Sequence, residues 1–138
     1  MINLSWYSVS FVPRDPKHAE SQQKLYIQDS IVAYLIIRHN PKEFRQYNDS
    51  EILINSQEPL RKLNETLQMK YRHVANITVT QLPKNERDEN EPDYDKPIDK
   101  AIESIFNERF ERLRYSKDTG NLASTKELES IVEEIFPP

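Results

Sequence analysis

Residues 2–12 read INLSWYSVSFV, and the arrangement of the chain follows from them. The stretch is rich in aromatic and β-branched side chains, which suit a pleated strand. Successive side chains of a strand point to opposite faces. Leu4, Trp6 and Val12 then fall on one face, and Tyr7, Val9 and Phe11 on the other. Apolar groups on both faces call for cover on both, so a strand buried on two sides is expected. Pro13 stops it, because proline cannot donate to a ladder.

Working outward, Asp15-Pro16 offers a helix cap followed by a proline suited to the first turn. A helix is expected from about Pro16 to Asn40. Its apolar residues Leu25, Ile27, Ile31, Val32, Tyr34, Leu35 and Ile36 are dense in the second half, so the first half is read as exposed. Asn40-Pro41 ends it, since a residue before proline avoids the helical region. Residues 41–50 are polar and read as irregular. Ile52, Leu53 and Ile54 make either a short strand or part of a turn. Ser56 caps a second helix running to about Tyr71, with Leu60, Leu63, Leu67 and Tyr71 as a narrow apolar stripe. Residues 73–82 alternate apolar with polar, the pattern of a half-buried strand, and Pro83 ends it.

The one sharp change of composition covers residues 84–97. Tyr94 is the only apolar side chain there, and Glu86, Asp88, Glu89, Glu91, Asp93 and Asp95 face only Lys84, Arg87 and Lys96. Such a segment reads as a mobile, solvated loop and as the first site of proteolysis. Beyond it, Ile98, Ile102, Ile105, Phe106, Phe110 and Leu113 form one helical face. Ser124 and Glu127 form a capping box for a last helix. The reading is α+β: a small sheet of two or three strands packed with about four helices, the last two forming a C-terminal hairpin after the acidic loop. The units are an α/β body over 1–83, the acidic loop over 84–97 and the helical hairpin over 98–138, together one compact domain. Whether the hairpin docks on the body or projects is open.

Composition excludes whole classes of chemistry. The 138 residues contain one glycine, Gly120, so neither a glycine-rich dinucleotide loop nor a phosphate-cradling loop can be built. There is no cysteine, which removes disulfides, thiolate metal sites and cysteine nucleophiles. The net charge of −4 and a pI near 5.4 oppose a whole-molecule attraction to phosphate backbone. The longest apolar run, Ile31 to Ile37, is far short of the roughly 20 residues a membrane span needs. No secretory signal is read at the N-terminus, so a cytoplasmic location without membrane association is expected.

His18, His39 and His73 share no metal-ligand spacing, and all fall near element ends; His39, next to the most apolar segment, is the best candidate for a partly buried role. Asp88, Asn90, Asp93, Asp95 and Asp99 imitate a calcium loop, but Pro92 stands at its fifth position and the glycine at the sixth is missing. Asp29 and Glu103 lie in apolar blocks yet fit the polar faces of helices. No catalytic constellation is found, and neither a cofactor nor a metal is expected. Two basic clusters stand out: Arg61, Lys62, Lys70 and Arg72, and Arg109, Arg112, Arg114 and Lys117. They would serve nucleic-acid binding, although helix-end cations beside core aromatics explain the second cluster as well. The terminal stripe Leu128, Ile131, Val132, Ile135 and Phe136 is the candidate surface for a partner helix. The expected function is therefore a non-enzymatic protein–protein interaction module, such as an adaptor, assembly factor or regulator, able to self-associate. The alternative is a nucleic-acid-binding accessory protein using the basic clusters.

Overall fold

The computed structural model describes residues 4–15, 21–39, 41–48, 50–84, 86, 91–95, 99–101, 103–108 and 111. In chain order these form β1 (Ser5–Pro13), α1 (Ser21–Arg38), β2 (Glu43–Asn48), β3 (Glu51–Ser56), α2 (Leu60–Tyr71) and β4 (Ala75–Gln81). Helical residues follow at 100–101, 103–108 and 111, here called α3. All strand pairs are antiparallel, and the sheet order is β2-β3-β1-β4. This is the β-α-β-β-α-β plan of the split βαβ, or ferredoxin-like, arrangement.

The expected fold is corrected in two respects. The sheet has four strands, not two or three, and three helices are found among the described residues, not about four. The missing strand is β2. Its sequence Glu-Phe-Arg-Gln-Tyr-Asn offers one purely apolar residue, Phe44, so no apolar period marks it. Pairing with β3 brings Phe44 opposite Ile54 and Gln46 opposite Ile52. Buried Gln46 then donates to Gln28 of α1 at 2.9 Å, which meets the need of a polar group in the core. The last expected helix, 124–136, lies outside the described residues, as does the hairpin it would complete.

The two faces of β1 are covered by different means. Tyr7, Val9 and Phe11 meet Ile27, Ile31, Val32, Leu35 and Ile36 of α1, and Leu63, Leu67 and Tyr71 of α2, in one buried cluster. That cluster also takes in Phe106 of α3. Ser30 and Tyr71, both fully buried, tie the two helices through a 2.9 Å hydroxyl–hydroxyl bond. The opposite face presents Trp6 and Ser8 of β1 with Glu51, Leu53 and Asn55 of β3, and every one of these is buried. Buried Pro92 and half-buried Tyr94 belong to the acidic segment, which carries some of this cover.

Candidate protein-binding edge

Three groups of side chains invite a functional reading. The first is the polar tie beneath the second sheet face. Glu51 accepts from Ser8 at 2.5 Å and from the Tyr94 hydroxyl. Tyr94 also meets Tyr47 edge to face at 5.1 Å. Burial, then the neighbouring Glu51 carboxylate, pushes the Tyr94 phenol up to about 12. Arg45 of β2 donates to Glu91 at 2.5 Å, lies 3.7 Å from Glu103 of α3, and stacks over the Trp6 ring at 5.3 Å. Burial pulls the Arg45 pKa down, but Glu91, Glu103 and Glu43 outweigh it and hold the guanidinium above its ordinary value. The Arg45 hydrogen bond holds Glu91 below the usual carboxylate range. These contacts fasten 91–94 and α3 to the sheet, and Arg45, Glu91, Tyr94, Lys100, Glu103 and Ser104 line an open cleft of about 660 Å³ there. Trp6 Nε1 and Asn55 Oδ1, on register partners, are buried without hydrogen-bond partners, so that end of the face is held by apolar cover and by Arg45.

The second group surrounds His39. Its ring, 3% exposed, bonds to Glu58 at 3.3 Å and to Thr66 at 3.0 Å. The Thr66 hydroxyl bonds back to the Lys62 and Leu63 carbonyls of its own helix. His39 thus joins the end of α1 to the turn before α2 and to the middle of α2. It is a structural clamp with both ring nitrogens occupied, and no group of residues suited to a metal is found among the described residues.

The third group is the outer edge of β4. Leu82 N–H bonds to the Trp6 carbonyl, and Phe11 N–H to that of Ser50. Trp6 therefore faces β4 and Phe11 faces β3, and the alternation along β1 is fixed. Ala75, Ile77, Val79 and Gln81 stand opposite the residues of β1 that face β3. Their own N–H and C=O groups consequently point away from the sheet. The Gln68 amide, which donates to the Ile77 carbonyl from α2, marks this outward direction. The strand reads Ala-Asn-Ile-Thr-Val-Thr-Gln, without a charge or a proline. Those are the usual devices that keep an edge from pairing. Beside the edge runs an open groove of about 570 Å³, lined by Leu60, Arg61, Asn64, Gln68, Ile77 and Val79.

The residues expected to act in binding are placed as follows. Arg61 and Lys62 start α2, and Lys70 and Arg72 lie at its other end. Arg61 pairs with Glu65 at 3.3 Å, Lys62 with Glu58 at 3.5 Å, and Arg72 donates to His73 at 3.1 Å. They line a helix without converging on one surface. Arg109, Arg112, Arg114 and Lys117, and the stripe Leu128, Ile131, Val132, Ile135 and Phe136, lie outside the described residues. The β4 edge was missed by the sequence reading. Its signal was present in the absence of charge and proline from 75–81, but edge and central strands separate only once the strand order is known. No helix among the described residues is long and apolar enough to cross a membrane. No family model, no curated protein and no solved structure matches this chain.

Proposed function

We propose that the chain is a non-enzymatic protein-interaction module that takes up an extended segment as a fifth strand along β4. The observation that carries this reading is the outward row of backbone groups on Ala75, Ile77, Val79 and Gln81 beside the groove against α2. Main-chain bonds supply affinity in such strand addition, and pockets beside the edge supply selectivity. Half-buried Leu60 and Val79 offer the apolar floor that alternate side chains of an added strand would cover.

The nucleic-acid alternative draws less support. The cations of the first turn of α2 are already paired with Glu65 and Glu58, and Tyr94 occupies part of the open sheet face. The discriminating variant is Val79→Pro. It deletes an outward N–H while leaving the β1 ladder intact, because residue 79 does not donate to β1. Extended peptides selected from a random library against the whole chain should lose binding to this variant, with its circular dichroism unchanged. Peptides that bind both proteins equally would refute the reading. A salt-sensitive shift with single-stranded DNA or RNA would favour the alternative.

A further inference from the structure

Resting on the strand-addition reading, we infer that the segment taken up by β4 is the β4 of a second copy of this chain, paired antiparallel about a two-fold axis at Thr78. The strand complements itself in that register. Ala75 would stand opposite the partner's Gln81, and Ile77 opposite the partner's Val79, so all four residues that present outward backbone groups fall in hydrogen-bonded pairs. A shift by one residue would set outward groups against residues whose own groups are already bonded to β1.

The side chains agree with the same axis. On the helix side, Ile77 and Val79 meet the partner's Val79 and Ile77, giving β-branched apolar pairs over the groove floor. On the other side, exposed Thr78 meets the partner's Thr78, and exposed Asn76 meets the partner's Thr80. Threonine pairs are among the favourable cross-strand neighbours. The α2 helices of the two copies then lie side by side along the seam. Each brings Arg61, which lines the groove but already pairs with Glu65 of its own helix, so the seam rests on the strand pairs and not on charge. The Gln68 bond to the Ile77 carbonyl is compatible, because a carbonyl oxygen accepts two hydrogen bonds. An isologous contact of this kind closes on itself and turns two four-stranded sheets into one continuous sheet.

The chain has no cysteine, so single introduced thiols report the register directly. A residue on the axis in a non-hydrogen-bonded pair lies about 4.5 Å, Cα to Cα, from its own copy, within disulfide range. Thr78→Cys should therefore give a disulfide dimer under mild oxidation. Thr80→Cys, displaced from its own copy by four residues, should not. Light scattering on the wild-type chain should give twice 16.4 kDa. Val79→Pro should weaken the dimer by roughly tenfold or more, since one bond is lost from each of two symmetric positions. A monomer at every concentration with no cross-link at residue 78, while Val79→Pro still abolishes peptide binding, overturns the second copy and leaves strand addition standing. A dimer whose mass and cross-linking ignore Val79→Pro overturns the β4 seam, and strand addition falls with it when peptide binding ignores Val79→Pro as well.

Discussion

Arg45 is the residue on which the cover of the second sheet face turns, and replacing it gives a graded test. Arg45→Met keeps an apolar stem over Trp6 but removes the charge, whereas Arg45→Ala removes both. The bidentate pair with Glu91 is half open to water on the carboxylate side, so it contributes about 0.5–1 kcal/mol. The stacking over Trp6 at 5.3 Å adds about 0.5–1 kcal/mol. The expected loss is therefore about 1–2 kcal/mol for Arg45→Met, with Arg45→Ala costing more because Trp6 also loses apolar cover. Trp6 is the only tryptophan and is buried beneath Arg45, so its emission reports this face alone. Urea unfolding followed by Trp6 emission should shift to lower midpoint in both variants, and the native emission of Arg45→Ala should move to the red. Acid provides an independent check. Arg45 holds Glu91 below its ordinary 4.5, so the pair stabilises the fold fully above that pH. The contribution disappears as pH falls through the lowered value. An acid step in Trp6 emission below pH 4.5 should be present in the wild type and absent in Glu91→Gln. If Arg45→Met matches the wild type in both urea midpoint and acid step, the cover is not held by this cation.

At the other end of the pH range, Tyr94 ionises only near 12 instead of its usual 10. Its raised value gives stability that is complete below pH 10 and is lost as pH rises towards 12, and ultraviolet titration of Tyr94→Phe should lack that late phenol. Breaking the buried Ser30–Tyr71 bond should cost about 1–3 kcal/mol in Tyr71→Phe. The Ser30→Ala, Tyr71→Phe double variant should lose less than the sum, and a double-mutant cycle without coupling would contradict the bond. His39→Ala should lower the unfolding free energy by about 1–3 kcal/mol, because the Glu58 and Thr66 bonds are lost from a ring almost wholly enclosed. After limited trypsin cleavage within 84–97, the two fragments should co-elute in native chromatography, because Phe106 belongs to the core cluster; fragments that separate would contradict this docking.

What the sequence disclosed, and what it withheld, divides along the range of the forces involved. α2 and β4 were legible because their apolar periods are local: Leu63, Leu67 and Tyr71 recur on one helical face, and Ala75 and Ile77 alternate with exposed Asn76 and Thr78. β2 was not legible, because an edge strand with one side towards solvent needs few apolar residues, and its second inward group, Gln46, is satisfied only by Gln28 from a different element. The cap of α2 was misplaced for a related reason. Ser56 ends β3 and accepts the Glu58 N–H, while Pro59 holds the cap position without a side-chain bond. Of the proposed binding edge, the strand over 73–82 was legible but neither its place at the sheet edge nor any binding role for it, since strand order is a long-range property.

The two apolar faces of β1 lead to a stronger conclusion about the acidic segment. Trp6 and Leu53 cannot be left to water without losing about 1.5–3 kcal/mol each, yet α1 and α2 both pack on the other face. Something later in the chain must cover them, and 84–97 comes directly after the last strand. Its single apolar residue, Tyr94, is where the cover is pinned, through Glu51 and Tyr47. The surrounding acidic groups are not only solvating, since Glu91 neutralises the Arg45 that stacks on Trp6. A lone aromatic in an acidic stretch is thus better read together with the unpartnered face of a strand than by the composition of its own neighbours. The β4 edge, by contrast, carries an uncharged, proline-free row of outward backbone groups. The two surfaces differ in sequence accordingly: charge and an anchoring ring where the chain holds itself down, and neither charge nor proline along the edge that we propose accepts another strand.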